Sequence, residues 1–420
     1  MTNSVRSNSI STWLADPFRS TVDSTREVFK PTGKVLPWFI PAAIGVGLLV
    51  LTAVGWATNP RQFYFSYLVG WTFCLSIALG ALFFLLINHL TRARWSIVLR
   101  RIPEALTWSF PVLAVLSIPI LIGMHDLYHW THVEVYDPAD SHYDPILAGK
   151  RDYLNTPFFL VRLAVYFVAW TAISYRLYAL SVRQDVDGDV NTGFKMRKVS
   201  AVGLAITAVT TSFASFDILM SLDPHWFSTI FGVYFFAASF WVAHAMIALI
   251  AILLQRRRGL RGIISPEHYH DLGKMMFGFT VFWAYIAFSQ YILIWYGNLP
   301  EETIWYRHRL EHGWEAHSAA LLIAHFVIPF WVLLPRRAKR SVPVMSIMAV
   351  WFLVMNWFDF HWIAMPVLHP DQAGFHWMDF SAWLGLFGVF LGLVLFRLSR
   401  HSLVPQNDPN LAKSLKFANM

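Results

Sequence analysis

Ten strongly apolar segments run along this chain, separated by short polar connections. Their approximate bounds are 36–56, 63–90, 106–123, 157–181, 199–220, 228–254, 272–295, 313–334, 343–366 and 377–397. Each is near or above the ~20 residues that an α-helix needs to cross hydrocarbon. Apolar runs this long without alternation exclude a β-barrel. The pattern predicts an all-α integral membrane protein with about ten transmembrane helices. The membrane domain covers 36–399, flanked by polar tails at 1–35 and 400–420. The third segment is the shortest and is expected to extend outward through His125. One long connection, 124–156, is acidic and rich in histidine, and is expected to fold as a small cap.

Charge orients these spans. Of the 33 Lys and Arg, 25 lie in the two tails and in the connections after spans 2, 4, 6 and 8, counting Arg397 at the end of span 10. Basic residues near spans stay cytoplasmic, so both termini are expected inside a bacterial cytoplasmic membrane. The net charge of +8 therefore reflects loop flanks such as Arg256–Arg257–Arg258 rather than nucleic-acid binding. The first 35 residues hold no apolar core and read as a cytoplasmic tail, with Trp13 and Phe18 on the membrane surface. The one cysteine, Cys74, excludes a Cys-ligated iron–sulfur cluster, a C-x-x-C-H haem attachment and an internal disulfide in this chain.

A short repeat is visible. Phe216–Asp217 ends span 5 with Pro224 seven residues on, and Phe358–Asp359 ends span 9 with Pro366 at the same offset. Two parallel four-helix bundles, spans 2–5 and 6–9, with spans 1 and 10 flanking, would produce it.

Ionisable groups inside a bilayer are costly, and those that persist usually face a bundle interior or a wet cavity. Most fall in the outer half here. They are Arg162, Asp217, Asp223, His225, Glu315, His317, Asp359, His361 and Asp379, with His244 and His325 near mid-membrane and Gln290 and Asn356 as neutral polar groups. Asp and His together can pass protons, because burial and neighbours move their protonation toward neutrality. The plainer reading of each is packing, with Arg162 paired to one of the acids. Taken whole, the outer cluster reads as a proton pathway or a quinol site. Asp217 is expected to matter more than Asp359, since Asp223 and His225 continue from it toward external water. His244 and His325 are the one pair placed for a transmembrane haem, but span 6 offers no second histidine for another. His125, His129 and His132 have metal-like spacing, with interfacial hydrogen bonding the better reading. No metal or cofactor is expected to be bound by this chain.

The run from Ser215 through Asp217, Asp223–Pro224–His225–Trp226 and on to Gly232 resembles a known family. So do His244, the segment from His268 to Lys274, and Gln290–Tyr291 followed by Trp295–Tyr296–Gly297–Asn298. These resemble the NrfD/polysulfide-reductase-type membrane subunits of alternative complex III, a bacterial quinol:electron-acceptor oxidoreductase of cytochrome c type. Length and the N-terminal tail look most like the second of its two such subunits. The resemblance implies the two-bundle fold and quinol or menaquinol oxidation near the outer face coupled to proton movement. It also implies a paralogous membrane subunit, an iron–sulfur subunit and c-type haem subunits as neighbours. Two rivals remain: a secondary transporter, against which no span is conspicuously broken in its middle, and a purely structural scaffold.

Overall fold

The computed structural model describes residues 37–257 and 260–418; the expected tail at 1–35, with Trp13 and Phe18, lies outside the described residues. Among the described residues, ten helices are long and apolar enough to cross a membrane. They are span 1 (Phe39–Trp56), span 2 (Pro60–Leu90), span 3 (Arg101–Ile122), span 4 (Thr156–Asp187), span 5 (Thr192–Leu222), span 6 (Phe231–Arg256), span 7 (Pro266–Gly297), span 8 (Trp314–Leu333), span 9 (Val342–Leu368) and span 10 (Trp377–Leu398). No strand occurs among the described residues. The protein is an all-α, multi-pass membrane protein. Ten crossings put the start of span 1 and the end of span 10 on one side, the C-terminal face. The 124–156 connection lies on the other, the long-loop face.

Helix starts follow local chemistry. Asn59 caps span 2 and Asn155 caps span 4, each side chain accepting an N–H of the first turn, with a proline just inside the helix. Ser265 and His268 form a reciprocal capping box at span 7, as do His376 and Asp379 at span 10.

Spans 2 and 6 are buried almost throughout and cross at the centre. Gly80 permits the crossing, because a Cβ there would stand 1.9 Å from the Ser239 carbonyl oxygen. Spans 3, 4 and 5 gather on the span 2 side, and spans 7, 8 and 9 on the span 6 side, as two bundles sharing these central helices. Span 1 packs chiefly on span 10 through a stripe of small residues. A Cβ on Gly388 would meet the Pro41 carbonyl oxygen at 2.7 Å, and one on Gly392 would meet the Ala42 Cβ at 2.7 Å.

Three local features depart from the sequence expectation. Span 3 is not one rod but three helical pieces, Arg101–Thr107, Phe110–Val115 and Ile118–Ile122. Prolines 103, 111 and 119 recur every eight residues and each removes a backbone donor. The junctions stay right-handed rather than unwinding. In span 8, Leu322–Val327 is a π-helix, because Pro329 cannot donate to the His325 carbonyl four residues back. The Asp217/Asp359 repeat is also less regular than its spacing. The helix holding Asp217 ends at Ile218, where the Ser221 hydroxyl donates to the Asp217 carbonyl at 2.5 Å. Span 9 instead continues through Pro366 to Leu368, so Asp359 lies more than two turns from its end.

The 124–156 connection does form a cap. Tyr128, Trp130, Val135 and Leu147 are buried in it. Tyr128 donates to the Ile218 carbonyl at 3.0 Å and the Lys150 ammonium to the Pro224 carbonyl at 2.6 Å, fastening the cap over the end of span 5. At the C-terminal face the segment after span 10 folds back rather than trailing as a tail. Leu403 and Val404 are buried, and the Ser414 carbonyl meets His268 Nε2 at 3.1 Å.

Candidate functional site

The sequence-predicted polar residues fall into three buried clusters. The first is built on spans 4 and 5. The Arg162 guanidinium donates twice to Asp217, at 2.9 and 2.8 Å, and Tyr166 donates a third hydrogen bond at 2.7 Å. The Tyr153 ring, from the cap, lies 3.9 Å from the guanidinium centre, and Arg162 also donates to the Tyr153 carbonyl. Asp217 is 1% exposed and fully paired. No hydrogen bond joins it to Asp223 or His225 among the described residues. His225 instead engages Asp144 of the cap. Asp223 lies within electrostatic range of Lys150 of the cap and of Arg309.

The second cluster centres on Asp359 in span 9, which is 0% exposed. Its carboxyl takes hydrogen bonds from the Tyr234 hydroxyl and, at 3.2 Å, from the Trp283 indole N–H. Unlike Asp217 it has no cation within pairing distance among the described residues. Trp283 stacks at 3.7 Å on His325, whose other face stacks at 4.0 Å on Trp241, itself 3.8 Å from Phe352. Four rings from four spans form one pile. Both nitrogens of the buried His325 lack a hydrogen-bond partner, and the histidine sits in the π-helical stretch of span 8. Tyr234 lies within electrostatic range of Tyr306. Tyr306 bonds Gln290 at 3.1 Å, and Gln290 accepts from Ser228 at 3.0 Å near the long-loop face. Sequence reading missed Tyr234, Trp283 and Tyr306. Their signal is weak, since aromatics are abundant here and only tertiary placement singles them out.

The third cluster lies between spans 2, 9 and 10. Asp379 accepts from Gln62 at 2.9 Å, from Ser66 at 2.6 Å and from the His376 N–H at 2.7 Å. His361, 0% exposed, approaches Asp379 Oδ2, the oxygen that accepts from the His376 N–H, at 3.4 Å. His369 meets Gln62 Oε1 at 2.6 Å, extending the network outward. His317 lies with its ring centre 6.3 Å from that of His361. Glu315 does not join. It is exposed and accepts from the Gly313 N–H at 2.9 Å at the start of span 8.

The remaining candidates separate. His244 donates through Nδ1–H to the Phe240 carbonyl, 2.7 Å away, and packs among Phe84, Phe240 and Phe279. It therefore has different ring neighbours from His325, which lies between Trp241 and Trp283. His125 and His132 stack at 3.9 Å. No group of three His, Cys, Asp or Glu among the described residues converges as a metal set would.

The residues carrying the family resemblance act mainly as fasteners. Trp226 stacks on Trp305 at 4.3 Å. His268 ties the C-terminal segment to the start of span 7. Beside the Trp226–Trp305 stack, Arg309 is almost wholly buried between Trp305 and Trp362 and donates to the Trp305 and Ile363 carbonyls. Burial lowers its affinity for a proton to a pKa of about 9. An apolar cavity of about 380 Å³ opens beside the first cluster, between Tyr153, Phe216, Met220 and Phe227. Neither a family model nor a curated protein matches this chain.

Proposed function

We propose that this chain is a membrane subunit of a quinol:electron-acceptor oxidoreductase of cytochrome c type and supplies a proton pathway near the face bearing the long loop. The observation that carries the reading is Asp359. It is a fully buried carboxyl that meets only neutral donors, in a bilayer-spanning helix where an unpaired acid is costly. A packing role would be better served by an amide or an ion pair. Oxidising a quinol releases two electrons and two protons. The protons need fixed acceptors connected to water, and Asp359, Tyr234, Tyr306, Gln290 and Ser228 run in that direction. The electrons need centres that this chain, with one buried cysteine, does not ligate. They would pass to iron–sulfur and c-type haem subunits, beside a paralogous membrane subunit. The basic bias of the C-terminal face supports a cytoplasmic location for both termini. The resemblance in the Asp223–Pro224–His225–Trp226 run supports the family, with the quinol and its final acceptor as proposals of the same standing.

The test is the assembled complex in membranes. Asp359→Asn keeps size and hydrogen bonding but removes the titrating group. Assembly should persist, while quinol turnover or proton yield per electron falls, by about 10²-fold for rate if Asp359 is an obligate carrier. Normal rate and yield in Asp359→Asn, in His361→Gln and in the double variant would leave a scaffold as the better reading.

A further inference from the structure

At the C-terminal face the connection after span 2, the hairpin between spans 4 and 5, and the folded-back C-terminal segment enclose a cavity of about 700 Å³. Its wall carries Arg92, Arg94, Arg100, Arg197 and Lys413 against one acid, Asp408. Arg100 and Asp408 satisfy each other at 2.7 Å. The other four cations make no ion pair among the described residues. Like charges gathered round a cavity repel one another unless an anion joins them. The start of span 5, at Asn191 and Gly193, also faces the cavity and adds the positive end of a 27-residue helix.

Arg92 adds an independent pointer. Span 2 ends in a turn where Ala93 N–H meets the Asn88 carbonyl at 3.0 Å and Arg92 N–H meets that of His89 at 3.4 Å. This closure needs a left-handed residue, and Arg92 has φ +54°. Glycine takes that place at low cost. An arginine held there against its backbone preference indicates that its side chain is used.

We infer that this cavity binds a phosphate group, presented by the headgroup of an anionic lipid or by free phosphate from solution. The rim favours the lipid. Val190 and Phe194 line the same cavity and are exposed where spans 4 and 5 leave the membrane, as acyl chains would require. Basic pockets between helix ends on the cytoplasmic side suit such headgroups. The inference is independent of the redox reading.

The full-length chain, stripped of lipid in detergent, would be given phosphatidylglycerol, phosphatidylcholine or inorganic phosphate, with native mass spectrometry and thermal unfolding as readouts. Phosphatidylglycerol should be retained roughly tenfold better than phosphatidylcholine. That preference should vanish in Arg92→Gly combined with Lys413→Gln. Arg92→Gly relieves the left-handed strain, so an unchanged or higher Tm in the variant would show that lost binding is not lost folding. Stabilisation of the unmutated chain by inorganic phosphate, with no lipid preference and no effect on the variant, would keep the site and assign it to a soluble ligand. Equal retention of both lipids with no response to phosphate, or responses identical in the variant, would overturn the inference.

Discussion

Asp217 and Asp359 share a preceding phenylalanine and a proline seven residues on, and have opposite chemistry. Asp217 is one half of a buried ion pair; Asp359 is a carboxyl among neutral donors. Removing one member of a buried pair strands the other, at a cost of roughly 3–5 kcal/mol. Asp217→Asn should therefore lower thermal stability in detergent. A second change, Arg162→Met in the same chain, should recover much of the loss, which a double-mutant cycle reads directly. No recovery would mean that the two side chains do not act as a pair. The sequence expectation that Asp217 is the more sensitive in turnover is read separately, from the same Asn variants in the assembled complex. The sequence made every ionisable residue visible, because charge in an apolar run stands out. It did not make the partner visible. Arg162 and Asp217 lie 55 positions apart on neighbouring helices. The rings stacked on His325 come from spans 6 and 7, among 20 tryptophans with nothing to distinguish these two.

Elements were easier to read than their interruptions. Hydropathy located all ten helices because the bilayer requires each to satisfy its own backbone. It gave no sign of the π-helix in span 8 and little of the three-piece span 3, where Pro111 and Pro119 sit within an unbroken apolar run. Helix crossing points were equally hidden, and glycines show them. Gly80→Leu should abolish folded protein, because the Ser239 backbone occupies the space its side chain needs. Gly47→Leu should be accepted, since nothing stands within 4 Å of a Cβ there. Comparing monodisperse yield on size exclusion checks both. The cap offers a pH test. Burial alone would raise the Asp144 carboxyl, but the hydrogen bond from His225 and those from the Leu147 and Ile146 N–H groups outweigh it and hold it below the usual carboxylate range. A depressed pKa contributes stability above the ordinary value of about 4 and loses it as pH falls through the depressed one. Hydrogen exchange in 144–154 should therefore quicken only below about pH 4, and no change there would refute a role for this carboxylate in docking the cap.

At the scale of the molecule, alternation of basic loops predicts which face is which. A tag inserted between Asp137 and Lys150 should be reached by an impermeant reagent from outside, and one at the C-terminus only after permeabilisation. An accessible C-terminus would invert the assignment and move the Asp359 exit to the cytoplasm. The number of spans was legible because each apolar run has the length of a bilayer crossing. Their shared core was not, since nothing in an apolar run says which helices meet. One feature of that core bears on how the protein is made. Span 1 packs chiefly on span 10, glycine against backbone. The ribosome delivers the first of these at the outset and the second after more than three hundred further residues. Until then span 1 lies in lipid with its glycine stripe unfilled, a surface that an insertase or a membrane protease can recognise. A nascent chain halted before residue 377 should therefore crosslink to that machinery through a photoreactive leucine at Leu49, which packs on Gly385 of span 10, and the crosslink should disappear once span 10 has been released.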